Sequence, residues 1–391
     1  MISEAEALAA VLAKVAVLPA KKMPLLESLG RFSAAELRAR RPLPAFDNSA
    51  MDGYAVQAAS CPAGAHLRVK GEQPAGPDRG LTIGSGEAVR IFTGAPLPTG
   101  ADAVIMQEEV LREGDEIVAQ CGVERGEFVR CKGSDLAEGQ NILASGERIG
   151  AQTLALLAAQ GISEIDLGVT PRVAIVSTGD ELVPSGATPR PGQIFESNAL
   201  MLRALALGAG AEISFVEHSA DDLVRMTGIF RRGIEHDALI ISGGVSVGEH
   251  DLVKPALRAL GTEINLWRVA IKPGKPFLFG RAGPCSVFGL PGNPVSAFVT
   301  FLKFVRPALL KMSGANDLAL RRVPARLAAE VANDGARPHY LRGRLQDGVF
   351  SVTGRQESHA LFGLSRANAL LRVAAGEKFA AGAAVSVELW D

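Results

Sequence analysis

The feature that most constrains the fold is an alternation of short apolar runs with segments of helical apolar spacing between residues 171 and 313. The strand-like runs are 173–176, 213–216, 238–241, 276–279 and 286–290, and the helix-like segments are 199–207, 223–234, 253–260 and 295–310. Apolar runs joined by helices are typical of parallel strands that are covered on both faces. The pattern therefore predicts a doubly wound α/β domain with a mainly parallel sheet over residues 171–313.

The chain before this domain has a different pattern. Ser3 and Glu6 have the spacing of a helix capping box, so an N-terminal helical segment is predicted over residues 1–40, with a second helix at 25–40. Short strand-like runs at 66–69, 88–91, 103–106 and 116–119 are separated by Gly and Pro clusters. They predict an inserted β domain over residues 41–139.

Two further segments complete the predicted organisation. Residues 140–170 are predicted as a linker with a helix at 149–160, because apolar residues recur there at helical spacing. Residues 317–391 return to short strands and Gly turns, which predicts a small C-terminal β domain. The fold class is thus α/β plus β in a multidomain chain.

Charge and cysteine usage argue against several classes of partner. The chain has 41 Lys and Arg residues against 42 Asp and Glu residues, and aromatic residues make up 5%. Such a chain is expected to bind neither nucleic acid nor a membrane surface. The four cysteines have no zinc-ligand spacing and no paired motif, and neither a signal peptide nor a membrane-spanning run is recognisable. A cytoplasmic protein is therefore expected.

Ligands of open α/β sheets bind beyond the carboxyl ends of the strands, so the residues after each apolar run are candidate site residues. The first such junction, VAIVSTGDE at 173–181, ends in the hydroxyls of Ser177 and Thr178 and the carboxylate of Glu181. This composition suits a polar ligand. A turn with an aspartate cap explains the same string.

The second junction, ALIISGGVSVGEHD at 238–251, is a glycine-rich loop. Bare backbone N–H groups around Gly243 and Gly244 would cradle a phosphate, although a plain glycine turn also fits. The loop has neither the GK[ST] of a P-loop nor the GxGxxG of a dinucleotide fold. Glu249 and Asp251 follow the glycines, and carboxylates beside phosphate oxygens suit Mg²⁺.

The third junction, VFGLPGNPVSA at 287–297, places Asn293 at a helix N-cap and Pro294 at the first helical position. Free N–H groups and the helix dipole favour an anion there, and helix initiation alone also explains the motif. Just before it, IKPGKP at 271–276 holds Lys272 and Lys275 between prolines and a glycine. Such a stiff loop suits ammonium groups beside a phosphate or oxyanion, whereas flexible surface lysines are the alternative.

Outside the α/β domain, FDNSAMDGY at 46–54 carries Asp47 and Asp52, and FTGA at 92–95 offers the Thr93 hydroxyl. Each string alone is ordinary turn chemistry. Neither a Ser-His-Asp set nor an HExxH motif is visible, so hydrolases built on those devices lose support. Together the motifs predict a cleft for a phosphorylated ligand, a metal ion and an oxyanion, with walls from more than one domain.

Taken together, these strings resemble the MoeA family, which is related to the E domain of gephyrin. The matching motifs cover nearly the whole chain in the family's order: FDNSAMDGYA (46–55), TGAPLPTGADAV (93–104), STGDEL (177–182), GGVSVGEHD (243–251), IKPGKP (271–276), GLPGNPVSA (289–297) and GRQESHALFGLSRANAL (354–370). The resemblance implies a molybdopterin molybdenumtransferase. Such an enzyme accepts adenylylated molybdopterin, inserts molybdate and releases AMP with the help of a divalent cation, Mg²⁺. Molybdopterin is then a substrate and not a prosthetic group.

The resemblance also implies an architecture. It implies an elongated homodimer with a MogA-like α/β domain, in which residues 1–40 contribute to domains completed later in the chain. The cleft would be completed by the partner subunit, and the product would pass to molybdoenzyme or chaperone acceptors. A molybdopterin adenylyltransferase and a gephyrin-like scaffold are the alternative functions.

Site residues follow from the resemblance motif by motif. The catalytic set is Asp52, Asp135, Glu181, Asp221, Asp251 and Lys272. Substrate binding is assigned to Thr93, Ser177, Thr178, Gly243, Gly244, Ser246, Arg268, Lys275, Pro291, Gly292, Pro294, Ser296 and Ser358, and metal binding to Glu181, Asp221, Glu249 and Asp251. Arg268 is a departure, because a lysine is common there. Arginine keeps the charge but presents a planar fork instead of a point charge.

Overall fold

A computed structural model describes residues 1–245 and 251–390. The chain divides into two compact units, which we call the large unit (Met1–Ala35, Ser145–Ala155 and Ile162–Asp391) and the small unit (Glu36–Ala144 and Leu156–Gly161). The sequence analysis drew the inserted β domain at 41–139, so the observed small unit starts earlier and takes in part of the predicted linker. The full domain division of the sequence stays a prediction. Among the described residues, no helix is long and apolar enough to cross a bilayer.

The chain opens with helix α1 (Glu4–Lys14). The predicted capping box is confirmed: Ser3 Oγ accepts from the Glu6 backbone N–H at 3.2 Å, and Glu6 Oε2 accepts from the Ser3 N–H at 2.8 Å. These bonds satisfy N–H groups that a helix start leaves free. Strand β1 (Lys21–Pro24) follows.

The second helix predicted at 25–40 is wrong. The segment holds one 3₁₀ turn (Leu25–Glu27) and strand β2 (Leu37–Arg38). Gly30 adopts φ +77°, a conformation that favours glycine and interrupts a helix. The backbone instead bonds to a later segment, since the Gly30 N–H donates to Ile149 O at 2.8 Å and the Ser33 N–H donates to Glu147 O at 3.0 Å.

The small unit is built around a six-stranded sheet in the order β7-β4-β6-β5-β9-β8. The strands are β3 (Asn48–Ser49), β4 (Gly53–Val56), β5 (His66–Gln73), β6 (Glu87–Ile91), β7 (Ala103–Met106), β8 (Val110–Glu113), β9 (Glu116–Ala119), β10 (Val129–Arg130) and β11 (Asn141–Leu143). Strands β3 and β10 form a separate antiparallel pair, and so do β2 and β11. All four strand-like runs predicted before residue 140 are strands, and the inserted β fold is confirmed.

Helix α2 (Ala151–Ala159) confirms the helix predicted at 149–160, and strand β12 (Glu164–Leu167) then pairs antiparallel with β1. The α/β part of the large unit contains β13 (Arg172–Thr178), β14 (Leu182–Val183), β15 (Ile194–Phe195), α3 (Asn198–Gly208), β16 (Glu212–Ser219), α4 (Leu223–Gly233), β17 (Ala238–Ser242), α5 (Val253–Ala259), β18 (Glu263–Arg268), β19 (Pro276–Ala282), β20 (Cys285–Leu290), α6 (Pro294–Thr300) and α7 (Arg306–Met312). A π turn, Phe301–Val305, joins α6 to α7.

The main sheet has the order β16-β13-β17-β20-β19-β18. The first four strands are parallel, and β19 and β18 are antiparallel additions at one side. Val173 and Ile175 pack into the core with α1, α3, α6 and α7, whereas Ala174 and Val176 pack with α4 and α5. Helices therefore cover both faces, which confirms the doubly wound, mainly parallel sheet. Strand β18 is an edge strand that the sequence analysis missed, because its sequence EINLWR is not an apolar run.

The C-terminal part is a closed barrel of five strands in the order β21-β24-β23-β25-β27. Its elements are β21 (Arg321–Leu327), β22 (Val331–Ala332), β23 (His339–Gln346), β24 (Val349–Val352), α8 (Leu361–Ser365), β25 (Ala369–Val373), β26 (Lys378–Phe379) and β27 (Ala384–Leu389). Strands β22 and β26 form a separate pair. The predicted C-terminal β domain is confirmed.

A buried charge network joins α1 to the barrel. Lys303 Nζ donates to both carboxylate oxygens of Glu388, at 3.1 and 2.9 Å, and lies 4.9 Å from the centre of the Tyr340 ring. The Tyr340 hydroxyl donates to the Glu4 carboxylate, which also accepts from Arg372 Nε at 3.2 Å. Burial and then Glu4 raise the pKa of Tyr340, so the phenol remains a donor.

Candidate functional site

The loops after neighbouring strands of the main sheet enclose a cavity of about 690 Å³, here called the strand-end cavity. Strand β13 lies between β16 and β17, and β17 lies beside β20, so the carboxyl ends of these parallel strands meet at one edge. The predicted site residues that line the cavity are Thr178, Glu181, Asp221, Gly243, Gly244, Pro291, Gly292 and Pro294. The strand-end rule thus located a common site for all of them except Asp221, which only the family resemblance had assigned, and their individual roles stay predictions.

Two glycines let the loops approach closely. Gly243 adopts φ +93°, and a Cβ there would lie 2.6 Å from the Thr178 carbonyl oxygen. Gly244 adopts φ +62°, and its Cβ would lie 2.5 Å from Val253 Cγ2. Both distances are below van der Waals contact, so a larger residue would push the loop away from β13. The second junction therefore needs its glycines for a close approach of backbones.

Asn198, the first residue of α3, links two of these loops. Its Nδ2 donates to Ser242 Oγ at 3.0 Å and to Gly292 O at 2.7 Å. Asn198 also lines the strand-end cavity. The side chain thereby fixes the end of β17 relative to the loop after β20.

Three carboxylates line the same cavity, those of Glu181, Glu196 and Asp221, of which the pair Glu181 and Asp221 was predicted to bind metal. The Asp221 N–H donates to Asp180 Oδ1 at 3.0 Å, so a fourth acid lies beside them. Across residues 1–245 and 251–390, no group of three or more His, Cys, Asp or Glu side chains is arranged to hold a metal ion. Mg²⁺ is usually held by one or two carboxylates together with substrate phosphates and waters. The pair fits that mode of binding, in which the substrate supplies further oxygens.

The other predicted metal ligands are placed differently. Asp251 is largely buried, and its Oδ2 lies 3.2 Å from Lys254 Nζ. Burial raises the pKa of Asp251, and Lys254 opposes that shift. Glu249 and the predicted substrate-binding residue Ser246 fall in 246–250, outside the described residues.

A second cavity, of about 630 Å³, lies between the loop before β19 and the barrel. We call it the barrel cavity; its lining includes Lys272, Asn333, His339 and Gln356. The backbone of Lys272 is fixed, because its N–H donates to Pro338 O at 2.9 Å and its carbonyl accepts from the Tyr340 N–H at 2.8 Å.

Positive charge surrounds His339 in the barrel cavity. The residue is 7% exposed, and its Nε2 has no hydrogen-bond partner among the residues that the structure describes. Burial, followed by Lys272, Arg342 and Arg337, lowers the pKa of His339 to about 4. The imidazole is therefore neutral at physiological pH, with three cations around it.

Arg342 is fully buried in β23. Its Nη2 donates to Arg355 O, whereas Nε and Nη1 have no partner within the described ranges. Burial lowers the pKa of Arg342, and Glu357 opposes that effect. A buried guanidinium with free donors is unfavourable unless something binds to it. An anion bound beside these two nitrogens would meet that need.

The two cavities are neighbours, because two loops contribute to both. The loop before β19 places Lys272 in the barrel cavity and Pro276 in the strand-end cavity. The loop between β24 and α8 places Gln356 in the barrel cavity and His359 in the strand-end cavity. A ligand in one cavity therefore lies close to a ligand in the other.

The remaining predicted cations lie beside this region. Arg268 pairs with Pro276 across strands β18 and β19, and the Val269 N–H donates to Lys275 O at 3.2 Å. Arg268 and Lys275 are both exposed. They therefore share one end of the β18–β19 hairpin, next to the loop that carries Lys272.

Three predicted serines differ in their surroundings. Ser177 is 1% exposed inside β13, where its Oγ lies 3.4 Å from His218 Nδ1, and Ser296 is 4% exposed inside α6. Both were predicted to bind substrate, but the structure buries them within their elements and not on a cavity wall. Ser358 Oγ accepts from Asn293 Nδ2 at 3.0 Å, which connects the C-terminal loop to the start of α6.

The predicted site residues of the small unit are described within that unit. Asp52 Oδ1 accepts from the Thr93 backbone N–H at 2.7 Å and from Thr93 Oγ1 at 2.8 Å. These two bonds lower the pKa of the exposed Asp52 carboxyl. Asp135 is exposed, and its N–H donates to Leu43 O at 3.0 Å.

Known proteins match this chain over its full length. Family models match at residues 2–161 (MoeA N-terminal region, domain I and II), 174–311 (probable molybdopterin binding domain) and 324–390 (MoeA C-terminal region, domain IV). A Mycobacterium tuberculosis protein named molybdopterin molybdenumtransferase 2 is 35% identical over 382 residues, which cover 94% of this chain and 94% of that protein. The chain belongs to the MoeA family.

Other relatives agree with this membership. The molybdopterin molybdenumtransferase of a Nostoc strain is 36% identical over 365 residues, covering 90% of this chain and 84% of that protein. A crystal structure of the molybdopterin biosynthesis MoeA protein from Pyrococcus horikoshii superposes with a TM-score of 0.86 at 30% identity, covering 100% of both chains. The three-part arrangement of a MoeA N-terminal region, a molybdopterin-binding α/β domain and a C-terminal barrel is therefore that of the MoeA family.

Several residues of this MoeA family member escaped the sequence analysis. Asn198 and Phe195 line the strand-end cavity, and His339 lines the barrel cavity. Arg342 is one of the buried cations that lower the pKa of His339. One signal was available for Arg342. It stands two residues after Tyr340 in a strand and so on the same inward face, where a charge is unusual.

Proposed function

We propose that the chain is a molybdopterin molybdenumtransferase, which takes up adenylylated molybdopterin and molybdate and releases the molybdenum-loaded pterin and AMP. The observation that carries this proposal is the pair of adjoining cavities. Glu181 and Asp221 line the strand-end cavity, whereas Lys272 lines the barrel cavity beside His339, which Arg337 and Arg342 also surround. Such a pair suits a phosphorylated ligand with a divalent cation in the strand-end cavity and a separate oxyanion in the barrel cavity.

In this proposal the strand-end cavity receives the phosphoanhydride of the substrate. Glu181 and Asp221 line it, and Mg²⁺ held by this pair would neutralise the phosphate oxygens and polarise the bond that is broken. The backbone N–H of Gly244 would contribute a further hydrogen bond to phosphate, whereas that of Gly243 donates to Leu290 O at 3.1 Å. The residues that hold the substrate thus come from the ends of three strands.

The barrel cavity receives molybdate in this proposal. Lys272 lines that cavity, and the free donors of the buried Arg342 suit a tetrahedral dianion. Arg268 and Lys275 add positive charge on the adjoining hairpin. Because two loops line both cavities, the oxyanion would lie next to the pterin that accepts the metal.

The finer assignments are proposals in the same sense. A homodimer with a cleft shared between subunits, the participation of Asp52, Thr93 and Asp135 in that cleft, transfer of the product to molybdoenzyme or chaperone acceptors, and a cytoplasmic location are all taken from the family resemblance. Light scattering of the purified protein tests the dimer directly.

AMP release from adenylyl-molybdopterin tests the function. The purified protein is incubated with the substrate and Mg²⁺, with and without molybdate, and both AMP and molybdenum-loaded pterin are measured. Molybdate-dependent formation of both products supports the transferase. A folded protein that releases no AMP contradicts it, and ATP-dependent adenylylation of molybdopterin would identify an adenylyltransferase instead.

Lys272→Ala tests the oxyanion assignment within the same assay. We expect the variant to need more molybdate for half-maximal product, because one charge-assisted contact is lost. Lys22→Ala is the matched control, since Lys22 is an exposed lysine on β1. An unchanged molybdate titration in Lys272→Ala would remove Lys272 from the site.

A further inference from the structure

Part of the lining of the strand-end cavity is apolar, and the chemistry of phosphate and metal does not use it. Ile194, Phe195 and Leu361 line the cavity and are 59%, 48% and 40% exposed. Ligand sites combine such apolar surfaces with a few polar groups that fix orientation. Exposed aromatic and branched side chains suit the face of a flat ring.

The amide of Asn198 has a defined orientation at this cavity. Its Nδ2 donates to Ser242 Oγ and to the carbonyl oxygen of Gly292. A carbonyl oxygen only accepts, so Nδ2 and not Oδ1 must face Gly292. Both Nδ2 hydrogens are then engaged, so the side chain can form a further hydrogen bond only as an acceptor, through Oδ1.

Oδ1 of Asn198 is buried and has no donor opposite it in the described part of the chain. The same holds for Thr178 Oγ1. Asn198 is 9% exposed and Thr178 is 4% exposed, and both line the strand-end cavity. Buried polar atoms are normally hydrogen-bonded, so two unpaired ones at one cavity point to a ligand that supplies the partner.

We propose that Asn198 accepts a hydrogen bond from an N–H group at the edge of the substrate's fused-ring heterocycle, and that this ring lies against Ile194 and Phe195. The inference rests on the proposed function, because adenylylated molybdopterin carries two such rings, adenine and the pterin. Both rings have N–H donors at an edge. The shared chemistry is therefore an exocyclic aromatic amine N–H, and a ring without that donor is selected against because Oδ1 would stay unpaired.

A double-mutant cycle tests the contact, with one change in the protein (Asn198→Ala) and the other in the ligand (methylation of the amine). The probes are AMP and its N6,N6-dimethyl derivative for adenine, and pterin-6-carboxylate and its 2-dimethylamino derivative for the pterin. Affinities are measured by calorimetry in the presence of Mg²⁺, for the wild type and Asn198→Ala. We expect methylation of one ring to weaken binding to the wild type by roughly ten-fold more than binding to Asn198→Ala. The ring that shows this coupling is the one that Asn198 binds.

Two further variants separate ligand contact from structural damage. Asn198→Asp keeps an acceptor oxygen but loses both donated bonds, so we expect it to retain the coupling that Asn198→Ala loses. Asn265→Ala is the matched control, because Asn265 is exposed and its Nδ2 donates to a backbone carbonyl, Glu263 O, at 3.0 Å. It should leave all four affinities unchanged.

Phe195→Ala tests the ring face. It should weaken binding of the coupled ring probe on the order of ten-fold while leaving inorganic pyrophosphate binding unchanged, since stacking acts on the ring alone. Equal effects of methylation in the wild type and Asn198→Ala, for both rings, would overturn the proposal.

The proposed function fails in a distinguishable way. Molybdate-dependent AMP release without coupling overturns the ring contact and leaves the transferase. Coupling without AMP release keeps the ring contact and contradicts the transferase.

Discussion

Replacing Arg342 by methionine should make the ligand-free protein more stable and deprive it of molybdate binding. The guanidinium is fully buried, and two of its three nitrogens have no partner among the described residues. Burying such a group costs free energy, and replacing buried charges by apolar residues of similar volume is often stabilising by about 1–4 kcal/mol. The one bond that is lost, from Nη2 to Arg355 O, ends at an exposed residue, where water can take the place of the donor.

The assay is thermal unfolding of the wild type and Arg342→Met, each with and without sodium molybdate. A gain of this size corresponds to a rise in unfolding temperature of roughly 1 to 5 °C without ligand, for a chain of 391 residues. Molybdate should raise the unfolding temperature of the wild type, because a ligand that binds only the folded state stabilises it, but not that of the variant. Arg344→Met is the control, since Arg344 lies two positions along the same strand and is exposed. A fall in the unfolding temperature of Arg342→Met, with molybdate stabilisation intact, would refute the reasoning.

Three other predictions follow from the described contacts. Because the pKa of His339 is held at about 4 in the folded protein against 6.5 for a free side chain, the unfolded state takes up the proton first as the pH falls. Stability should therefore drop between pH 6.5 and 4 by up to roughly 3 kcal/mol more in the wild type than in His339→Asn, as measured by urea unfolding; parallel pH curves would contradict this. Gly244→Ala should lower the unfolding temperature and AMP release together, because its Cβ meets Val253 Cγ2 at 2.5 Å and φ is +62°; a variant with wild-type values in both would show that the loop can adjust freely. Glu181→Ala and Asp52→Ala should fold and keep the native mass in light scattering but lose AMP release, and full turnover by either variant would remove that carboxylate from the site.

The strand-end part of the site was predictable from sequence for a physical reason. A buried parallel strand is an apolar run, and the chain must leave it at the edge where ligands bind, so Thr178, Glu181 and Gly243 could be located from the position of each run alone. The same rule gave no information on side-chain direction. It could not tell that Ser177, one residue earlier, is buried inside the sheet.

The barrel cavity was not predictable in this way. Its cations come from positions 272, 337 and 342, which local sequence patterns do not connect. Tertiary hydrogen bonds bring them together: Lys272 bonds through its backbone to Pro338 and Tyr340, and Arg337 Nη1 donates to Ile271 O at 2.9 Å. The missed strand β18 and the wrong helix at 25–40 share one cause, because tertiary pairing set their backbone conformation where local pattern was weak or misleading.

The charge network of Glu4, Tyr340, Lys303 and Glu388 has a consequence for the order of events during synthesis. Glu4 is added to the chain well before Glu388, which lies 384 residues later. At about 5–20 residues per second, the ribosome needs roughly 20–80 s to travel from one to the other. During that interval Glu388 cannot bind Lys303, and Glu4 of the first helix lacks the barrel residues Tyr340 and Arg372 until they have been added. The network cannot close before Glu388 has been added, so until then the nascent chain must hold its N-terminal helix in place without the complete network.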